Sequence, residues 1–483
     1  MKIERALGAM EKYQTSKYMN NGYGSVTCTA LFRHALQHPT ATTAENIKEF
    51  YLNQLYAPLT RLVEKHPQLS LAVADFDKPN VHFVRLDDFD LASIVSIDYP
   101  SLFWDEGTAL STTISEETDR EFDLNDHTVP LWHLRIGVHD DRPDECSITL
   151  AIQHAIGDGS SVAIFWRDLY TELNKDSITA PNNYTIRSNP EKPLLAAYEY
   201  RQPPKPNAWD KFSLTMTEKL KMYLPQPIKQ YWFPDGWAGD FRGITDKALA
   251  RHETDIRAIH VDKSIWEQVC IISKKQGVTP HAPIMAAIAS AFAEIWGTDQ
   301  TVETWTPINC RGFCNPPIAK DEMGNFVGPY VHMFTPASST LSFWEKAKTY
   351  HTGLRANKYE GAKDANYMTT FNYPDDFQTW WYSNWDTNPM ARSGGIECSD
   401  LGRFMTEQQE KAIMIDSDYP SWKLQGLWFA QSSQMFTNAL NLNCISTSDC
   451  MYGTVGWQRG SLDESKVERF GPLVIHYLKM NCQ

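Results

Sequence analysis

Trp132, Leu134, Ile136 and Val138 alternate with polar or small residues, and Ile148, Leu150 and Ile152 alternate again beyond Asp140-Asp-Arg-Pro-Asp-Glu145. Two period-two runs joined by a turn signal predict a β-hairpin over 131–153, its second strand ending at Gln153. The period then changes. Val162, Phe165, Trp166 and Leu169 recur at helical spacing and predict an amphipathic helix over 159–173. Helical spacing also recurs over 3–15, 43–65, 264–276, 281–296, 341–358 and 463–478. Pro58 is a candidate kink in the second of these. Segment 281–296 is almost wholly Ala, Ile, Met and Phe, which marks a helix buried on most sides, and Thr279-Pro280 reads as its cap and first turn. Strand signals fall at 22–29, 69–73, 81–86, 256–261, 302–308, 396–399, 424–430, 440–445 and 451–457.

Helices interspersed with strands predict two layered α/β domains. No fixed short repeat is present. Asn and Pro cluster between 178 and 193, and Arg201-Gln-Pro-Pro-Lys-Pro206 suits neither a central strand nor a helix interior. The expected division is an N-terminal domain over 1–185, a crossover over 186–254 and a C-terminal domain over 255–483.

Composition narrows the partners. With 45 basic and 59 acidic residues the net charge is −14, a poor surface for nucleic acid or anionic lipid. No apolar run reaches 18 residues, so no membrane span is expected. The first residues lack a signal-peptide core and the last lack a prenylation or retention signal. The nine scattered cysteines do not resemble a disulfide scaffold, and Cys310 and Cys314 lack the second close pair a zinc site needs. The expectation is a cytoplasmic, monomeric protein without a metal. The chain also carries 16 Trp, 21 Tyr and 22 Phe, enough to line a sizeable apolar cavity. Trp380, Trp381 and Trp385 fall in a segment flanked by Pro and Asn that reads as a loop. They would form either an acceptor wall or a seam between domains.

Candidate chemistry concentrates in Gln153-His154-Ala155-Ile156-Gly157-Asp158-Gly159. An imidazole follows the end of an apolar strand, and an Asp-Gly pair opens a helix. Strand ends hold side chains rigidly while leaving them facing a cleft. Histidine can take a proton from a hydroxyl near neutral pH, and Asp158 suits a helix start. No Gly-x-Ser-x-Gly, zincin helix or phosphate loop accompanies the motif. Spacing alone leaves a satisfied buried histidine and an ordinary turn as the alternative.

The segment HAIGDG resembles the His-x-x-x-Asp-Gly signature of the CoA-dependent acyltransferase superfamily. That group includes chloramphenicol acetyltransferase, plant BAHD acyltransferases, wax ester synthases and peptide-synthetase condensation domains. Pro130-Leu131-Trp132, Ile308-Asn309-Cys310-Arg311, Gly324-Asn325-Phe326-Val327-Gly328 and Ser399-Asp400-Leu401-Gly402 resemble further landmarks in the same order. Arg5-Ala-Leu-Gly-Ala-Met-Glu-Lys-Tyr13 is similar to the opening of the fungal alcohol acetyltransferase branch, which includes trichothecene O-acetyltransferases. Gln153 replaces the doubled His of wax ester synthases and many condensation domains, and the BAHD segment Asp-Phe-Gly-Trp-Gly is absent.

The resemblance implies two pseudo-symmetric chloramphenicol acetyltransferase-like domains of mixed sheet and helices, with a tunnel between them. It implies His154 as general base, and direct acyl transfer from acyl-CoA without an acyl-enzyme. Asp158 and Gly159 would be structural, with Asp158 paired to Arg311. No clear equivalent of the oxyanion-stabilising serine is present, leaving Asn309, Ser432 and Thr437 as candidates. The implied activity is O-acylation, with acetyl-CoA as co-substrate and no permanently bound cofactor. A small apolar alcohol of terpenoid type would be the acceptor. Two rivals stay open: amide formation by an N-acyltransferase or condensation-like enzyme, and a repurposed cyclase or binding protein of the same fold.

Overall fold

The computed structural model describes residues 2–39, 43–101, 108–175, 183–210, 236–243, 251–406 and 421–483, with a few positions between these stretches. Most of 211–235 and all of 244–250, within the expected crossover, lie outside the described residues. The first half contains β1 (Lys2–Ala6), α1 (Ala9–Met19), β2 (Ser25–His34), α2 (Ala44–Lys65), β3 (Leu71–Ala74), β4 (His82–Arg85), β5 (Asp88–Asp90) and β6 (Val95–Asp98). It continues with α3 (Thr108–Thr118), β7 (Trp132–Val138), β8 (Glu145–Gln153), α4 (Gly159–Leu173) and β9 (Thr185–Arg187). The second half contains β10 (Thr254–Val261), α5 (Lys263–Gln276), α6 (His281–Trp296), β11 (Val302–Asn309), β12 (Val327–Phe334), α7 (Phe343–Asp364) and α8 (Asp375–Thr387). It closes with β13 (Ile396–Arg403), β14 (Trp422–Gln431), β15 (Leu440–Ser446), β16 (Met451–Gln458) and α9 (Glu464–Asn481).

Two large sheets organise these elements into the two mixed α/β bodies expected. One has the strand order β14-β2-β8-β7-β6, the other β10-β16-β15-β13-β11-β12. β7 and β8 form the expected antiparallel hairpin, with Trp132 opposite Ile152. All nine residues of β8 are buried, so this central strand is covered on both faces. Trp166 of α4 reaches back to donate its indole N–H to Cys28 O of β2 at 3.2 Å. That bond satisfies the polar tip of a ring otherwise sealed in the core. In the second body α6 packs against both α7 and α9. This enclosure explains its nearly all-apolar sequence. No single helix among the described residues is long and apolar enough to cross a membrane.

The two halves share a sheet. β14 lies in the stretch assigned by sequence to the second half, yet it pairs antiparallel with β2 of the first, Gln431 opposite Val26. This swap brings the ends of β14, β2 and β8 to one rim.

Several local expectations change. Residues 3–15 are not one helix: β1 pairs with β4, and α1 starts only after Gly8. There Glu11 accepts the Gly8 N–H at 2.6 Å and caps the new helix. Thr279 gives no side-chain cap to α6, and Pro280 occupies the N-cap. α2 runs unbroken through Pro58. The tryptophan segment is a helix, α8, rather than a loop. Pro374 precedes it and Pro389 follows it, so the prolines bound the helix instead of breaking it. Asp375 and Asp376 in its first turn complement the helix dipole.

Candidate active site

β8 ends at Gln153, and the next residues turn sharply before α4. Gln153 Oε1 accepts the Ala155 N–H at 2.5 Å and tightens that turn. This is the local use of the side chain that stands in place of a second histidine. Asp158 then caps α4, accepting from Ser161 N and Ser161 Oγ, both at 2.9 Å. Gly159 is needed for close approach: a Cβ there would lie 2.6 Å from Leu401 Cδ2. Leu401 belongs to β13, so the Asp-Gly step is where the two halves touch.

Asp158 and Arg311 meet in a buried bidentate pair, Nη1 to Oδ2 at 2.8 Å and Nη2 to Oδ1 at 3.1 Å. The backbone N–H of Phe326 also donates to Asp158 Oδ2 at 3.1 Å. Burial pushes the Asp158 carboxyl upward, but the Arg311 charge and these hydrogen bonds hold it below the ordinary carboxylate value. With every oxygen of Asp158 engaged, the carboxylate is a clamp between α4 and the second half. Asn309 joins the same seam, donating to Ser160 Oγ at 3.1 Å while accepting from Arg311 N at 3.0 Å.

His154 sits at the rim with 9% of its surface exposed. Its backbone oxygen accepts from Asn325 Nδ2 at 2.9 Å, which fixes the residue without using the ring. Nδ1 is buried with no hydrogen-bonding partner, and none is formed by Nε2 among the described residues. Burial is the largest influence on the imidazole and the nearby Lys17 charge adds to it. Together they lower its pKa to about 4, despite opposing backbone carbonyls and Asp158. The ring is therefore neutral at physiological pH and free to accept a proton.

Sequence reasoning missed its neighbours. Tyr23 lies beside the imidazole with ring centroids 5.7 Å apart, and its hydroxyl donates to Gln431 Oε1 at 3.1 Å. Lys17 of α1 is buried and donates to Gln434 Oε1 at 2.5 Å. Glu397 of β13 accepts from Gln431 Nε2 at 3.0 Å and Asn438 Nδ2 at 2.8 Å. No motif marks these residues, and only the crossover of β14 brings them together.

The other candidates are spread around this centre. Ser432 follows β14, two strands from His154 in the sheet order, a span of about 10 Å at ordinary strand spacing. Its Oγ accepts from Gly24 N at 3.0 Å. Thr437 Oγ1 donates to Gln434 Oε1 at 3.3 Å, the oxygen that also holds Lys17. Trp381 and Trp385 are buried in a cluster with Met435 and Phe436, while Trp380 is half-buried. Trp381 stacks on Phe436 with centroids 5.4 Å apart and donates its indole N–H to Ser16 Oγ at 3.0 Å.

No family model and no curated protein sequence matches the chain. Solved structures do. TRI3 trichothecene 15-O-acetyltransferase from Fusarium sporotrichioides is similar with a TM-score of 0.66 at 14% identity, over 98% of this chain and 94% of that one. Polyketide synthase associated protein 5 from Mycobacterium tuberculosis gives 0.60 at 15% identity, over 99% of both chains. The condensation domain from Monacolin K polyketide synthase MokA gives 0.56 at 12% identity, over 99% of this chain and 97% of that one. At such identities the likeness is one of fold: the chain has the two-bodied mixed α/β architecture that these solved structures share.

Proposed function

We propose that the chain is an acyl-CoA-dependent O-acyltransferase, with acetyl-CoA as donor and the hydroxyl of a small, largely apolar metabolite as acceptor. The observation that carries this reading is His154: a neutral imidazole, held through its backbone, whose ring nitrogens form no hydrogen bond to another side chain among the described residues. The acceptor hydroxyl gives its proton to Nε2 while its oxygen attacks the thioester carbonyl. The tetrahedral intermediate collapses with cleavage of the C–S bond, and the imidazolium returns the proton to the departing thiolate. The two substrates meet at His154 from opposite mouths of a tunnel between the bodies, and the protein contributes proximity, orientation and a base. Asn309, Ser432 and Thr437 supply the candidate hydrogen-bond donors for the oxyanion. Trp380, Trp381 and Trp385 form the apolar side of the acceptor pocket. The test is release of CoA from acetyl-CoA against a panel of alcohols, with product mass measured. The likeness to a condensation domain favours amines as the second acceptor class, and amines in the same panel decide between them.

The low pKa of His154 sets the pH profile. Protonation removes the base, so kcat/KM should hold through neutral pH and fall tenfold per unit only below about pH 4, not below the ordinary histidine value near 6.5. A stopped assay from pH 3.5 to 8, corrected for unfolding, reads the limb directly. An acid limb centred near 6.5 would mean that another group is the base.

Direct transfer predicts no covalent enzyme form. Burial raises the Cys146 and Cys310 thiols to about 12, far from a reactive thiolate. Intact mass after mixing with acetyl-CoA alone should equal that of the free chain. A stoichiometric acetyl adduct discharged by acceptor would replace direct transfer with a ping-pong route.

A further inference from the structure

Beside His154, α1 and β13 present two opposite charges that the transfer chemistry does not use. Lys17 is 4% exposed, and its ammonium stands 4.6 Å from the ring centroid of Tyr23 and 5.2 Å from that of Tyr13. Among the described residues its one hydrogen bond, to Gln434 Oε1, leaves two of the three ammonium donors without an acceptor. Glu397 is held separately by Gln431 and Asn438. Among the described residues no ion pair joins Lys17 to Glu397, although each feels the other's charge. Two charges serving only to hold a dry interior together would close to contact, because only contact offsets their desolvation. Here neutral amides hold them apart.

Tyr13 and Glu397 are only half-buried, so each keeps accessible surface next to the enclosed Lys17. Tyr23 ties this group to the reaction centre, since its ring faces His154 and its hydroxyl binds the same Gln431 that holds Glu397. Asn438 Oδ1 is buried with no partner among the described residues, an unmet acceptor on the same amide that holds Glu397.

We infer that Lys17 and Glu397 form the polar end of the acceptor site and bind a second oxygen function of a neutral, polyoxygenated alcohol, while His154 takes the proton of the reacting hydroxyl. This rests on the acyl-transfer reading and sharpens it: the acceptor is not a plain hydrocarbon alcohol. Lys17 donates to the second oxygen. When that oxygen is a hydroxyl, it in turn donates a hydrogen bond to Glu397 or to Asn438 Oδ1. The opposite charges of Lys17 and Glu397 cancel, so a neutral group preserves the balance. An ionised acceptor would leave one charge uncompensated in the interior. The half-buried ring of Tyr13 faces the carbon skeleton, and the rings of Tyr13, Tyr23 and Trp381 stabilise the ammonium.

The test compares a bicyclic decalin mono-alcohol with its keto-alcohol and diol. Wild type, Lys17→Met, Glu397→Gln and the double variant are assayed by acetyl-CoA turnover, by calorimetry with acceptor alone and by thermal melting. Wild type should favour the dioxygenated acceptors by about tenfold or more in kcat/KM, because a mono-alcohol leaves buried polar groups unpaired. Lys17→Met should abolish that preference through acceptor KM and leave acetyl-CoA KM unchanged. The double variant should melt at or above wild type, since the charges serve binding rather than folding. A double variant that melts well below wild type but keeps its acceptor preference overturns the inference. Equal calorimetric affinity of mono-alcohol and keto-alcohol for wild type, or binding of neither, also overturns it. If nothing is acetylated but the keto-alcohol binds wild type more tightly than Lys17→Met, the acyl-transfer reading fails and the binding site stands.

Discussion

His154→Ala should fold as the parent does and lose acyl transfer by a factor of about 10² to 10⁴, the usual contribution of a positioned base. The structure separates the two effects. The bond that anchors this residue runs from Asn325 Nδ2 to its backbone oxygen and survives the substitution. Among the described residues the ring makes no hydrogen bond to another side chain, so removing it orphans none of them. Its acid behaviour gives a second readout. With a folded pKa of about 4 against about 6.5 unfolded, the unfolded chain binds more protons between those values. This histidine therefore costs no stability above pH 6.5 and progressively more as pH falls to 4, a total on the order of 3 kcal/mol. His154→Ala should lose that part of the acid sensitivity while matching wild type at pH 7.5. Circular dichroism, denaturant curves at both pH values and CoA release measure all three quantities. Turnover unchanged in a folded variant would remove His154 from the mechanism.

The parts of the fold that sequence made visible are those in which local periodicity and tertiary burial agree. The period changes from two to 3.6 between Gln153 and Gly159, and the structure changes from β8 to α4 over those residues. The crossover of β14 leaves no such trace. Its pattern identifies a strand, but which strand it pairs with depends on contacts across almost 400 positions. α8 was hidden because proline at either border looks the same as proline inside a segment until the helix ends are seen. The site divides similarly. His154, Asp158 and Arg311 stand in short motifs whose resemblance can be recognised along the chain. Lys17 and Glu397 stand in ordinary surroundings, Thr15-Ser-Lys-Tyr18 and Ile396-Glu-Cys398, and nothing local says that either charge is enclosed. The tightening of helix α1 after Gly8 and the order of two sheets put them near one imidazole. Sequence alone therefore gave the acceptor a purely apolar pocket.

Breaking the Asp158–Arg311 clamp should act on stability before chemistry. Arg311→Met removes the guanidinium but leaves Asp158 buried, accepting only from Ser161 and Phe326. Asp158→Asn leaves Arg311 charged and 3% exposed, with an amide that can place its own donors against the guanidinium. Each single variant should lose about 3–5 kcal/mol, because a buried charge has lost its partner. Asp158→Asn/Arg311→Met removes both charges and should lose clearly less than the sum. The shortfall is the coupling energy, read from denaturant unfolding of the four proteins. Additive losses would show that the two side chains do not act as a pair. The pH dependence has a definite sign. The carboxyl of Asp158 is held below its ordinary value, so its stabilising contribution is complete above the unfolded value near 3.8 and is lost as pH falls through the lower folded one. The variants should therefore differ most from wild type at neutral pH and converge with it in strong acid. Activity completes the distinction from His154. Asp158 touches α4, Arg311 and the backbone of Phe326 rather than the rim where the acceptor lies, but its charge raises the pKa of the His154 imidazole, so the surviving folded fraction of Asp158→Asn should keep a working base whose acid limb lies at lower pH than in wild type. A limb displaced to higher pH in folded Asp158→Asn would contradict that sign, and loss of turnover in the folded variant would make Asp158 more than a clamp.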